Sequence, residues 1–166
     1  GGPAKGQIVG EIDALGGEMG KAADQTALQM KILNRSRGPA VQCLRAQNDK
    51  ELYQQYMQSV ISQQPLITIE IAEINELVIE NNKISGVNTT QNIFFGSNCV
   101  VITTGTFLKA VMHTGMQQAV GGRVDEQSCD TLSGSLARYF RLGRLKTGTP
   151  PRLHKDSIDY DQLLIQ

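Results

Sequence analysis

Between Lys5 and Asp24 the apolar residues Ile8, Ile12, Leu15 and Met19 recur at three- and four-residue intervals. This spacing predicts a helix that begins directly after the glycine-rich opening "GGPAKG" and is broken at Gly16-Gly17. A second helical stripe, Leu52, Tyr53, Tyr56, Met57, Val60 and Ile61, predicts an amphipathic helix that Pro65 ends. The period then changes to two. In "LITIEIAEI" Ile67, Ile69 and Ile71 point one way and Thr68 and Glu70 the other, which predicts a strand. "ELVIENNKISGV" predicts two more strands around an Asn-Asn turn, and "NIFFGSN" leads to a further one. "CVVITTGTF", Cys99 to Phe107, is apolar on both faces and predicts a buried strand of the parallel kind. The Thr-Gly-Thr at its carboxyl end lies where an open α/β sheet binds its ligands.

Beyond Phe107 the pattern weakens. Gly121-Gly122 predicts a loop, and Leu132, Leu136 and Phe140 mark one more short helix, with Ser128 or Asp130 as N-cap and Gly143 just past its end. Residues 32–47, with Arg35, Arg37 and Arg45, no acid and a Gly38-Pro39 turn, read as a basic loop. Asp156 to Tyr160 begins a transition that the chain does not complete.

Composition narrows the classes. A length of 166 residues with 40% hydrophobic content suffices for one ordinary domain, or a piece of a larger one. Sixteen basic residues balance sixteen acidic ones, so any nucleic-acid site must be a local patch rather than a whole-molecule field. Cys43, Cys99 and Cys129 form neither a CxxC nor a Cys/His ligand spacing, and their odd number argues against a disulfide framework, so a reducing cytoplasm is expected. The longest apolar run, around Cys99 to Ile102, is far short of the roughly 20 residues a bilayer helix needs, which implies a soluble protein. The chain opens without methionine on a glycine-rich loop with no strand before it, and a fragment of a longer protein is expected.

Several stretches have the residue types of binding chemistry. "GGPAKG" suits an anion, because glycines let the backbone approach closely, a helix start favours negative charge and Lys5 adds a cation. It is neither a Walker loop nor a GxGxxG, and a frayed end explains it equally well. At Thr103-Thr104-Gly105 small residues permit close approach by a cofactor phosphate or ring, or simply end a strand. Arg138 to Lys155 carries six basic residues and no acid. A solvated face is the plain reading, yet Pro150-Pro151 stiffens the backbone beside Thr147, Gly148, Thr149 and Arg152, which suits a phosphate or an anionic ring. Cys99 reads as an inert core residue, and Cys43, between Arg37 and Arg45, has no histidine near in sequence. His113 and His154 make no ligand pair, and neither a metal site nor a hydrolytic triad is expected.

Together, "GGPAKGQIVGEIDALGGEMGKAADQ", "ILNRSRGPAVQCLRAQNDK", "TTGTFL", "GGR" and "GRLKTGTPPRL" resemble the MnmG family, also called GidA, over essentially the whole chain. The resemblance implies an α/β fold: a partial Rossmann-like FAD-binding domain of the glutathione-reductase type, with a β-meander and an inserted segment. Residues 1–107 would be part of the FAD-binding domain, and 108–166 the start of the inserted substrate and NADH side. The family uses FAD and NADH. With the GTPase MnmE and a methylene-tetrahydrofolate carbon, it adds a (carboxymethyl)aminomethyl group to carbon 5 of the wobble uridine of tRNA. A cytoplasmic homodimer without membrane attachment is the family expectation.

Carried onto this chain, the resemblance makes Gly1, Gly2, Lys5 and Gly6 the loop beside the flavin and places Ile74 where the backbone meets the adenine. It makes Thr104, Gly105 and Thr106 the later FAD turn. Lys146 and Thr147 join the cofactor side, and Arg35, Arg37, Arg45, Arg144, Thr149 and Arg152 line the tRNA and flavin edge. Cys129 or Ser128 falls near a family serine that helps hold the cofactor, and a one-residue gap leaves that choice open. Pro3-Ala4 replaces the more usual Ile-Gly, and Gly10 stands where a basic residue is common. The family's GxGxxG strand and first catalytic cysteine fall before Gly1, and its second catalytic cysteine and helical C-terminal domain after Gln166. No catalytic residue is therefore expected within this chain. A general FAD/NAD(P)H oxidoreductase or a non-catalytic RNA-binding module are the alternative readings. The isolated 166 residues are predicted to be inactive and to bind FAD weakly or not at all, because the first βαβ unit cradles the pyrophosphate; a tight, stoichiometric yellow complex would contradict this.

Overall fold

The computed structural model describes residues 4–124, 128–148 and 153–164. Two compact units divide the chain, Gly1–Glu70 and Ile71–Gln166.

The first unit begins with α1 (Ala4–Ala14) and α2 (Glu18–Thr26). The glycine pair separates them: Gly16 takes the left-handed φ of +85°, and a Cβ at Gly17 would collide with Ile12. Glu18 holds the Lys21 amine at 2.8 Å and, by hydrogen bond and charge, raises its pKa above the ordinary lysine value. Next come β1 (Ala27–Leu33) and β2 (Cys43–Asn48), an antiparallel hairpin in which Lys31 faces Arg45 and Leu33 faces Cys43. Residues 32–47 are thus not one basic loop. Alternation in "ALQMKIL" was the available signal, obscured because Leu28, Met30 and Ile32 stay exposed on the far face.

The hairpin's base is tied to α2. Asn48 Nδ2 donates to the Ala23 carbonyl at 2.8 Å and to Thr26 Oγ1 at 3.0 Å, and Thr26 Oγ1 donates to the Ala22 carbonyl at 2.7 Å. Asp49 then caps α3 (Lys50–Ser62), its Oδ1 accepting from the amides of Glu51 and Leu52. The helix ends ahead of Pro65, as its stripe predicts.

The second unit is built on a meander, β3 (Ile74–Glu80), β4 (Lys83–Thr89) and β5 (Phe94–Gly96), antiparallel in that order. Asn81 and Asn82 at φ of +50° and +61° make the predicted two-residue turn, a conformation that asparagine tolerates. A further hairpin, β6 (Val111–Thr114) and β7 (Gln117–Val120), turns at Gly115, φ +60°. It was not foreseen in the sequence. The helix α4 (Thr131–Ala137) lays Leu132 and Leu136 on Leu77, and these three form the buried core, with Ile84, Val87 and Leu108 packed around them.

Three expectations are corrected. Residues 66–73 form no strand, and Ile67, Ile69 and Ile71 are exposed, because nothing among the described residues pairs with them. Residues 99–107 likewise have no ladder, and Cys99 is exposed rather than core. A parallel strand is buried only when neighbours flank it and layers cover both faces. Finally, α4 stops at Ala137, so Phe140 lies beyond it and Gly143 is not its C′ residue.

Leu136 is 6% exposed in the three-leucine core, so Leu136→Ala should cost about 2–5 kcal/mol of unfolding free energy. Leu15→Ala, at a 90% exposed position, should stay within about 0.5 kcal/mol of the parent. Urea titration compares the two directly.

Candidate functional site

Thr104 to Ala110 is a turn fixed from several sides. The Phe107 amide donates to the Thr104 carbonyl at 3.1 Å, and Gly105 between them has a φ of +58° that suits glycine. A short parallel bridge follows: the Cys129 amide donates to the Phe107 carbonyl at 2.9 Å, and the Lys109 amide to the Cys129 carbonyl at 3.0 Å. Ser128 Oγ accepts the Ala110 amide at 2.8 Å and lies against both the Phe107 carbonyl and the Asp130 carboxylate. Asp130 therefore orients this hydroxyl and makes no side-chain cap to α4. Lys109, a non-glycine residue at φ +46°, is held by its neighbours, and Arg144 donates to its carbonyl at 2.7 Å. Arg123 sits 5.5 Å from the centre of the Phe107 ring, and a Cβ at Gly122 would enter that ring.

This turn stands at one end of an apolar cleft of about 400 Å³. Residues 99–104 form one wall, and Ile74, Leu77, Val87 and Leu132 contribute the other. The walls are mainly hydrocarbon, and Thr103 and Thr104 are among the lining residues. Such an arrangement accepts a flat, largely apolar group whose polar end reaches the threonines and the backbone of the glycine turn.

The predicted residues separate into groups. Ile74 and Thr104 meet at the cleft, with Gly105 and Thr106 following in the turn and Cys129 bracing it through its backbone. Arg144 reaches the same turn through the Lys109 carbonyl. Lys146 and Thr147 lie in an exposed, irregular stretch, while Gly1, Gly2, Thr149 and Arg152 lie outside the described residues. Lys5 and Gly6 are in the first turn of α1, which packs so closely on β2 that a Cβ at Gly6 would stand 3.0 Å from the Leu44 carbonyl. Arg35 and Arg37 lie on the β1–β2 connection and Arg45 on β2, all exposed. Sequence reading missed the roles of Phe107, Arg123 and Asp130. "GGR" and "SCD" carried their residue types, but only the folded chain brings them to the turn. Among the described residues no cluster of three His, Cys, Asp or Glu side chains could hold a metal ion.

Ser128→Ala leaves the part-buried Ala110 amide without its acceptor, and should cost about 1–3 kcal/mol. Amide exchange should quicken at Ala110 while the Leu77 amide stays protected. Unchanged exchange at Ala110 would remove Ser128 as the brace.

The family model described as "Glucose inhibited division protein A" matches residues 1–166. The chain is 46% identical to the tRNA uridine 5-carboxymethylaminomethyl modification enzyme MnmG of Syntrophotalea carbinolica, over 100% of this chain and 27% of that protein. It is 48% identical to MnmG of Myxococcus xanthus, over 98% of this chain and again 27% of the relative. The crystal structure of Aquifex aeolicus GidA superposes with a TM-score of 0.87 at 46% identity, over 97% of this chain and 27% of that one. The chain thus spans about a quarter of the length of the relatives it matches. At this similarity the mixed α/β fold, part of a Rossmann-like domain, holds as the motifs implied. With every residue from 1 to 166 inside the match, the chain belongs to the glucose inhibited division protein A family, also called GidA or MnmG.

Proposed function

We propose that this chain is the part of a tRNA-uridine-modifying flavoenzyme that holds one end of FAD and borders the tRNA site. One observation carries the cofactor reading: Ile74 and Thr104, far apart in sequence, line the same apolar cleft, next to a glycine turn braced by backbone and serine hydrogen bonds. The donor set fits the group. Hydrocarbon walls suit an adenine or flavin ring, Gly105 admits close approach, and the threonine hydroxyls and turn amides suit its ribose and phosphates.

When bound, FAD would supply hydride chemistry, with NADH as reductant. The chain's own residues would bind and orient: Ile74 and Thr104 to Thr106 at the cleft, Cys129 behind the turn, and Gly1, Gly2, Lys5 and Gly6 at the helix start, where amide dipoles favour a phosphate. Lys146, Thr147, Thr149 and Arg152 would hold a polar cofactor edge or a tRNA phosphate, with Arg144 fixing the turn beside them. The complete enzyme would work with the GTPase MnmE and a methylene-tetrahydrofolate carbon on the wobble uridine, as a cytoplasmic homodimer. Among the described residues no helix is long and apolar enough to cross a membrane.

The test begins with the intact mass and visible spectrum of the complete gene product. A flavin band and modification of tRNA with the GTPase partner are expected. Gly105→Val, which forces a β-branched side chain to φ +58°, should lower flavin occupancy at least about tenfold and should also cost about 1–3 kcal/mol of apoprotein stability, so occupancy is compared under conditions where the variant is still folded. A complete protein without flavin, or one that modifies tRNA equally well when flavin-free, would refute the reading.

A further inference from the structure

We propose that the β6–β7 hairpin is a base-opening arm, with Met116 at its tip as the wedge that enters the RNA base stack beside the uridine to be modified. The inference rests on the tRNA reading above and names the residue that would expose the base.

The chemistry sets the requirement. A reaction on a stacked base needs that base drawn out of its stack, and proteins that open a stack commonly fill the gap with an apolar side chain, methionine among them. Such a wedge has to be bare, carried on a rigid support and anchored close to the reacting group.

The hairpin meets each condition. Met116 is 98% exposed. Single bare hydrophobes are common on protein surfaces, but this one stands at the tip of an ordered ribbon. Its paired rungs run from Val111 opposite Val120 to Thr114 opposite Gln117 without a bulge. Gly115, φ +60°, closes them through a two-residue turn in which Met116 itself is not at positive φ, as in a type II′ turn. At its other end the stem grows straight out of the braced turn. The Gly121 amide donates to the Ala110 carbonyl at 3.0 Å, and the Ala110 amide is held by Ser128 Oγ at 2.8 Å. The length of β6 carries Met116 about 13 Å away from the turn proposed to hold the cofactor.

Residue type points to bases rather than phosphates. No Asp, Glu, Lys or Arg occurs from Ala110 to Gly122, in a chain that is 19% charged. An arm reaching for the RNA backbone would carry cations. Instead His113, Thr114, Gln117 and Gln118 are exposed, and none of their side chains is hydrogen-bonded among the described residues. Amide, hydroxyl and imidazole groups of this kind can pair with the edges of unstacked bases on either side of the wedge.

The experiment uses the complete gene product with its GTPase partner, and a tRNA transcript carrying a fluorescent purine analogue next to the target uridine. The analogue brightens when it unstacks, and its fluorescence should rise when the parent protein binds. Met116→Ala should remove most of that rise and slow single-turnover modification at least about tenfold, the loss expected when one stacking contact is removed. Its tRNA affinity should stay within about threefold, because phosphate contacts elsewhere supply it, and flavin absorbance should not change. Met116→Leu, which keeps an apolar wedge, should restore most of both signals. On a transcript whose nucleotides flanking the uridine are abasic, no stack has to be opened, and Met116→Ala should react as fast as the parent. Leu15→Ala, similarly bare at 90%, should match the parent throughout. Parent-like fluorescence and rate in Met116→Ala would overturn the wedge and leave the tRNA reading standing. A Met116→Ala variant that stays slow on the abasic substrate would also overturn it. So would loss of the GTPase partner with the fluorescence rise retained, which would make the hairpin a protein-docking arm. A parent with no tRNA affinity would overturn both readings.

Discussion

A strand at the edge of a sheet presents amides that need partners, and in β3 the Leu77 amide finds one in the Ser135 hydroxyl at 3.0 Å. Ser135 is 2% exposed, so this bond is made away from water, where a lost partner costs most. The same edge carries the Arg138–Glu76 pair at 3.0 Å and the Thr131 hydroxyl near the Ile74 carbonyl. α4 is thereby seated along β3, and Leu132 and Leu136 close on Leu77. Because Ser128 to Asp130 lead directly into this helix, its seating also delivers the hydroxyl and the backbone that brace the Thr104–Ala110 turn.

The candidate cleft depends on that chain of contacts. Leu77 and Leu132 are at once core residues and cleft lining, so the wall that would face a cofactor ring is as firm as the core behind it. The residues with polar side chains among its lining are Cys99, Thr103 and Thr104, and the last two lead into the glycine turn. This division would suit the ring and the anionic end of the cofactor proposed above. In the other unit, the tie of Asn48 to Ala23 and Thr26 anchors the hairpin's base, while Asn34 and Gln42 set its tip. On its strands, the Arg45 guanidinium donates to Gln29 Oε1 at 3.4 Å.

Two apolar stretches show how far local pattern reaches. Residues 66–73 alternate as a strand does, and residues 99–104 are apolar throughout, yet neither forms a ladder among the described residues. Alternation records which side of an extended segment avoids water, whereas a strand exists only when a second backbone supplies donors and acceptors. The relatives that share these patterns are longer proteins, and the chain spans about a quarter of their length.

The sequence by itself determined the elements whose stabilising contacts are local. The Gly16-Gly17 break, the Asp49-capped α3 and the Asn81-Asn82 turn follow from backbone preference within a few residues, and the motif order carried the family. Tertiary structure alone decided the rest: the facing of Lys31 and Arg45, the cleft that Ile74 and Thr104 both line, and the reach of Ser128 to Ala110. Each joins positions separated by 14 to 30 residues, and the pairing energy of such contacts is written in the geometry of the closed chain rather than in the periodicity of either segment.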